Sequence, residues 1–207
     1  MKAGLLKYLF VLMAVGFLCS CGKKSLSAVE YVKWVSNEDN GLCAKTTIED
    51  YEFSLLYKPL DYVALQENHG KAVSADSLEK IKKTLSGMQY YTFKIKARQS
   101  NELMANGIKE DNEYYQRLEY FMGPMQNDIE LIDGKDTLAC TLFHFERNYG
   151  LAPFNNFVLA FEQTDKTQQN NSRDKTLLFS DQVLGTGPVR LTIKGQQIDH
   201  TPILQLN

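Results

Sequence analysis

From Gln89 to Arg98 the side chains alternate without a break: Tyr91, Phe93, Ile95 and Ala97 face one way and Thr92, Lys94, Lys96 and Arg98 the other. Successive residues of a strand point to opposite faces, so this is a strand with one buried and one wet side. Glu52 to Lys58 repeats the pattern with Phe53, Leu55 and Tyr57, and it stops at Pro59, which cannot donate to a ladder. Asp128 to Asp133 and Asp136 to Arg147 flank Gly134-Lys135, and the Asp133-Gly134 pair between two alternating runs predicts a hairpin. Further strands are expected at Phe157 to Glu162, Thr176 to Phe179 and Val189 to Lys194, the last with Val189, Leu191 and Ile193 on one face. Gln163 to Lys175 is polar and aperiodic, which predicts a solvated loop.

Two amphipathic helices interrupt the strands. Ser74 to Leu85 has a serine start and Leu78, Ile81 and Leu85 at spacings of three and four; Asn112 to Met122 carries Tyr115, Leu118 and Phe121 or Met122 and ends at Gly123-Pro124. Leu60 to Asn68 is expected to form one or two further turns of helix. No repeat of solenoid length is present. Many short strands with few helices predict a mainly β (α+β) fold, a single antiparallel β-sandwich-like domain over residues 29–207.

The formal charge of the 207-residue chain is −2, and no region carries the basic excess expected of a nucleic-acid binder. Residues 1–20 divide into a short segment with Lys2 and Lys7, an apolar run from Tyr8 to Leu18, and small or thiol-bearing residues, the layout of a secretory signal. The run is too short for a membrane span, which takes about 20 apolar residues. Leu18-Cys19-Ser20-Cys21 resembles the bacterial lipobox, in which a signal peptidase cuts before a cysteine that has received a diacylglycerol. The resemblance implies that residues 1–20 are a lipoprotein signal peptide, that Cys21 is lipidated, and that the chain is tethered to a membrane by its N-terminus. Residues 21–28 are then expected to be a flexible tether. Tyr31 to Leu42 and Tyr57 to Leu65 resemble segments of uncharacterised lipoproteins of the Bacteroidota. Such lipoproteins bound for the outer face often carry an acidic run after the cysteine. Lys23 and Lys24 stand there in this chain, so the resemblance implies an outer-membrane location facing the periplasm.

With Cys19 removed and Cys21 acylated, Cys43 and Cys140 remain in an oxidising compartment, either as a disulfide or as two thiols. Cys140 alternates with Leu138 and Leu142, which predicts that it points into the core. His69, His144 and His200 lack metal-ligand spacing, so no metal or other cofactor is expected, and His144, between Phe143 and Phe145, is expected to be a core or edge histidine. No G-x-S-x-G elbow occurs, and Gly185-Thr186-Gly187-Pro188 precedes a strand where a phosphate loop would open a helix. Glu38-Asp39-Asn40-Gly41 lacks calcium-loop spacing and is expected to be a turn linking a strand that carries Trp34 to the next. Carboxylates such as Asp61, Glu67, Glu113, Glu119 and Glu146 have no spacing that pairs them for glycoside hydrolysis.

Trp34 is the candidate contact for a glycan or other small ligand. Asp76-Ser77-Leu78 and Asp136-Thr137-Leu138 resemble the short O-glycosylation motif of exported Bacteroidota proteins, which implies Ser77 and Thr137 as acceptors, Ser77 being the more accessible of the two. The sequence thus points to a lipid-anchored, non-enzymatic scaffold or partner-binding module in the envelope, within an envelope-spanning assembly. Ligand binding and hydrolysis by an unrecognised site are the alternatives.

Overall fold

The computed structural model describes residues 23–68, 74–99, 102–163 and 173–206. Eight antiparallel strands form one sheet: β2 (Cys43–Ile48), β3 (Tyr51–Lys58), β4 (Met88–Ala97), β5 (Ile129–Asp133), β6 (Asp136–Glu146), β7 (Asn155–Glu162), β8 (Lys175–Ser180) and β9 (Pro188–Ile193), in the order β2-β3-β4-β7-β6-β5-β8-β9. A separate parallel pair joins β1 (Ser25–Leu26) to β10 (Ile203–Leu204). The helices are α1 (Ala28–Ser36), α2 (Leu60–Glu67), α3 (Ala75–Leu85), α4 (Asp111–Met122) and α5 (Gly195–Asp199). The expectation of a mainly β antiparallel fold holds; the helices number five among the described residues, where two amphipathic helices and a turn or two at Leu60 to Asn68 were expected.

The sandwich gives way to a single sheet that curls toward a barrel. β6 is the reason: its first residues pair with β5 (Glu130↔Ala139) and its later ones with β7 (Cys140↔Phe161), so one strand continues the sheet where a sandwich would begin a second. The register shifts between Cys140 and Leu142, and a bulge of this kind bends and twists the strand. The Thr141 hydroxyl donates to the Ala160 carbonyl at 3.1 Å and holds the bend. As a result Phe179 of β8 reaches across the interior to Phe53 of β3 (6.5 Å between ring centres) and Phe93 of β4 (5.7 Å), and β9 comes to lie beside β2. Phe53, Phe93, Phe121, Phe157 and Phe179, all fully buried, form the centre of the core. Burying each such ring contributes about 1.5–3 kcal/mol.

The inward sets of β3 and β4 are those read from the alternation, and the hairpin closes over Gly134 at φ 66°. Helix α4 turns the expected Leu118 and Phe121 inward, with Tyr114 in the place expected for Tyr115. Tyr114, Leu118 and Phe121 pack on the core, Phe121 against Phe145 and Phe157, whereas Tyr115 and Met122 are exposed. Trp34 lies on a helix, where a strand was expected: Tyr31 and Val35, four residues apart, are its buried positions, and Glu30 Oε2 accepts from both the N–H and the hydroxyl of Ser27 at its start. The same contact corrects the expected tether. Residues 25–28 belong to the fold, with Leu26 buried and Ser25–Leu26 paired to β10. Lys175 opens β8 as a buried residue, whereas the loop was expected to run through it; residues 164–172 of that loop lie outside the described residues.

Candidate functional site

Pro59 ends β3 and starts α2, and Gly87, at φ 88°, turns the chain into β4, where its carbonyl accepts from Gln163 N–H at 2.8 Å. These breaks leave one end of the curled sheet open. Tyr31 leans in from α1, Ile198 from α5, and Thr201 to Ile203 from the segment that follows, so that a cleft of about 670 Å³ remains between them and the strand ends. That volume is in the range of small-molecule sites, and barrel mouths are a usual place for them. The cleft is lined in part by Lys23, Tyr31, Tyr57, Lys58, Gln89 and Thr201.

A buried polar network lies beneath its floor. Gln89 Nε2 donates to Asp133 Oδ2 at 2.9 Å, the Tyr91 hydroxyl donates to Gln89 Oε1 at 3.1 Å, and Lys175 Nζ lies 2.6 Å from Asp133 Oδ2. Asp133 and Lys175 are cross-strand neighbours on β5 and β8, and Asp133 is wholly buried, with no partner for Oδ1 among the described residues. Tyr57 stands edge-on to Tyr91 at 5.4 Å and connects this network to the cleft.

The electrostatics of the mouth favour donors. Burial, aided by the charge of Asp133, pushes the Tyr57 phenol up to about 12, and burial raises Tyr31 further, so both remain protonated across the physiological range. Neither hydroxyl has a hydrogen-bond partner among the described residues, and the Thr201 hydroxyl, buried at the rim, has none either. Lys58 also borders the cleft, but it stands opposite Tyr90 in the outward row of β3, where burial pulls its ammonium down and the charges of Glu146 and Glu67 oppose that shift. Asp61, also on the rim, is engaged by Lys82 at 2.9 Å. The arrangement offers N–H and O–H donors to a ligand rich in acceptor oxygens.

The residues singled out from the sequence lie elsewhere. Cys21 and His69 lie outside the described residues. Cys43 and Cys140 are free thiols, with β3, β4 and β7 standing between their strands, so the disulfide left open by the sequence is not made. Cys140 is buried, and its Sγ donates to the Leu142 carbonyl. Trp34 is half-buried against the core and joins no ring pair among the described residues, so it offers no aromatic platform. Ser77 is exposed on α3, where its N–H donates to Ser74 Oγ; Thr137 is exposed too, against the expectation that the hairpin would shield it. His144 is exposed on the outer face of β6, a strand flanked on both sides, where a core or edge histidine was expected, and His200 is exposed. No group of three His, Cys, Asp or Glu side chains that could hold a metal ion occurs among the described residues. Gly185 to Gly187 form the expected turn, held by Asp181, which accepts from Val183, Leu184 and Thr186 N–H. Glu38–Asn40 is a single 3-10 turn closed by Gly41 at φ 77°.

Sequence reasoning missed Tyr31, Tyr57, Lys58, Gln89, Asp133, Lys175 and Thr201. One signal was available for Gln89: it is the polar member of the inward set Gln89, Tyr91, Phe93, Ile95 and Ala97.

No protein-family model matches the chain, and no curated protein matches its sequence. Among solved structures, it is similar to a novel protein of unknown function from Burkholderia pseudomallei K96243, at 10% identity over 82% of this chain and 86% of that one, with a TM-score of 0.40. No helix among the described residues is long and apolar enough to cross a membrane.

Proposed function

We propose that the chain is a lipid-anchored envelope protein, held by Cys21 at the periplasmic face of the outer membrane, that binds a small polar ligand in the mouth of its curled sheet. The supporting observation is the pair of unpartnered phenols there: Tyr31 and Tyr57, both protonated, line a cleft of ligand size. Phenol donors that solvent reaches and no side chain engages are available to acceptor atoms from outside the chain, and a few convergent polar groups in a concave site are the usual mark of a ligand pocket. The ligand class is one with carboxylate, phosphate or sugar oxygens.

A thermal-shift panel of such compounds tests this. Saturation at a hundredfold excess over Kd stabilises by about 2.7 kcal/mol, and for a chain of this size that raises Tm by about 5–10 °C. Tyr31→Phe and Tyr57→Phe should reduce the shift while leaving the unliganded Tm within about 2 °C. A panel with no hit, or hits that both variants bind equally well, would refute the reading.

Docking of a protein partner within an envelope-spanning assembly is the second reading. It is favoured by the exposed Tyr115 and Met122 on α4 and the exposed Tyr149 and Leu151 beyond β6, which are far from the mouth along the strands. Apolar side chains exposed in one region are a common mark of interaction sites. Tyr115→Ser/Leu151→Ser should then release a partner crosslinked in native membranes; equal recovery of partner with both proteins would count against docking.

A further inference from the structure

The mouth is rich in hydroxyls, and the chain itself uses only some of them. Tyr31, Tyr57, Ser86, Tyr90 and Thr201 border the cleft. Ser86 donates to the Lys83 carbonyl at 2.8 Å and Tyr90 to the Leu85 carbonyl at 3.0 Å. Gln89 is engaged at both ends of its amide, by Asp133 and by Tyr91. The hydroxyls of Tyr31, Tyr57 and Thr201 are left without a partner among the described residues, and Thr201 Oγ1 is buried as well. A buried hydroxyl with no partner is costly, and buried polar groups of folded chains are ordinarily satisfied. Tyr57 continues the inward row of Phe53 and Leu55, so its ring points to the interior at the end of β3, edge-on to Tyr91. Tyr31, a buried residue of α1, lies close enough to Tyr57 and Asp61 to feel both. Leu60, Ile198 and Pro202 add apolar wall to the same cleft.

The charges around this site decide what it can hold. Lys23 is exposed at the rim. Lys58 stands in the outward row of β3, where Lys94, Glu146 and Glu67 are its charged neighbours. Asp61 is paired with Lys82 at 2.9 Å, and beneath the floor Lys175 is paired with Asp133 at 2.6 Å. No cation is therefore free inside the mouth to pair an anion, and no carboxylate is free to pair a cation, among the described residues. The potential at the phenols is negative: burial raises both, and the charge of Asp61 adds to the rise at Tyr31, that of Asp133 to the rise at Tyr57. An anion entering would lose its hydration and meet that repulsion, whereas a neutral polar ligand meets neither cost.

We infer that the ligand of the mouth is a neutral sugar, held by hydrogen bonds to the Tyr31, Tyr57 and Thr201 hydroxyls, with its C–H faces against Leu60, Ile198 and Pro202. This deepens the ligand-binding reading and rests on it. Each of the three hydroxyls can donate and accept, and so can each hydroxyl of a sugar, so the pairing works in either direction around the ring. A sugar also presents apolar C–H surface beside its hydroxyls, which matches a wall made of both.

The test is saturation-transfer NMR titration of the intact chain with glucose, galactose and mannose, each beside its uronate and its 2-amino sugar, so that ring and size stay constant while charge changes. At least one neutral hexose should bind, and its uronate should bind about tenfold more weakly, the repulsion expected of a like charge several ångströms away in a partly wet site. Thr201→Val and Tyr57→Phe should each weaken the neutral sugar by about two- to tenfold, the loss of one hydrogen bond. Because Thr201 Oγ1 has no partner among the described residues, Thr201→Val should leave the unliganded Tm unchanged or higher. Neutral binding that both variants weaken supports the inference. Neutral binding that neither variant weakens overturns it, as does a lower unliganded Tm for Thr201→Val, which would mean that the chain already satisfies that hydroxyl. A uronate or 2-amino sugar that binds as tightly as its neutral parent, or more tightly, overturns the neutral class yet leaves the polar-ligand reading standing. No binding of any neutral hexose overturns the inference, and the thermal-shift panel then decides the broader reading.

Discussion

Removing the charge of Lys175 while keeping its length should unfold this protein far more easily than any surface change. Lys175 is 3% exposed and Asp133 fully buried, and their 2.6 Å contact is the one charged interaction either of them makes among the described residues. In Lys175→Met the aliphatic stem is retained, so packing at β8 changes little. What changes is Asp133: its carboxylate keeps a single neutral donor, Gln89 Nε2, and Oδ1 is already unpartnered. Breaking a buried pair in this way costs about 3–5 kcal/mol. The total stability of a domain is only about 5–15 kcal/mol. For a chain of this length the loss lowers Tm by about 6–20 °C. Adding Asp133→Asn removes the stranded charge, so the double variant should lose only about 1–2 kcal/mol, less than Lys175→Met alone, because the two sites are directly coupled. Urea unfolding of the wild type, Lys175→Met, Asp133→Asn and the double variant, followed by circular dichroism, gives the four free energies. A loss under about 1 kcal/mol for Lys175→Met, or a double variant whose loss equals the sum of the singles, would show that the pair is not the coupled buried unit described here.

Gly134→Ala should destabilise by about 1–2 kcal/mol, since φ is 66° there and an added Cβ would sit 2.8 Å from Arg173 Cδ; an unchanged urea midpoint would contradict that geometry. Phe157→Ala should cost about 3–5 kcal/mol in the same assay, because its ring stacks on Phe145 and meets Phe93 and Phe121 in the centre of the core. Intact-mass measurement without reductant should show Cys43 and Cys140 both free, and a mass lower by two hydrogens would contradict this. Burial pushes the Cys140 thiol up to about 11, so its alkylation in the native state should stay slow at pH 8 and accelerate toward that value. The same shift has a sign in stability. The folded state holds the proton more tightly, so the contribution is fully present below the ordinary thiol range and is lost as pH rises through about 11; Cys140→Ala should flatten that decline.

The strands were legible for a simple physical reason. Each has one wet face, and the period of two then appears directly in residue type, as at Tyr91, Phe93 and Ile95. Closure was not legible, because the inward residues of a sandwich and of a curled sheet are the same. What decides between them is the length of β6 and its bulge at Thr141, and neither has a signature in hydrophobicity. Helix α1 was hidden by its composition: Val32, Trp34 and Val35 suit a strand, and the capping contact between Ser27 and Glu30, with Tyr31 and Val35 one helical turn apart, outweighs that preference. The mouth was missed because each of its polar residues reads locally as a strand end or loop. Together they form a pattern. Gln89 precedes Tyr91 on the inward face of β4, Lys175 precedes Leu177 on β8, and Asp133 follows Leu131 on β5, all at the same end of the sheet. The apolar face therefore stops at the same level on three strands. Where the inward face turns polar, the core can no longer exclude water or ligand, so the breaks in alternation, and not the runs, mark the place where this fold opens.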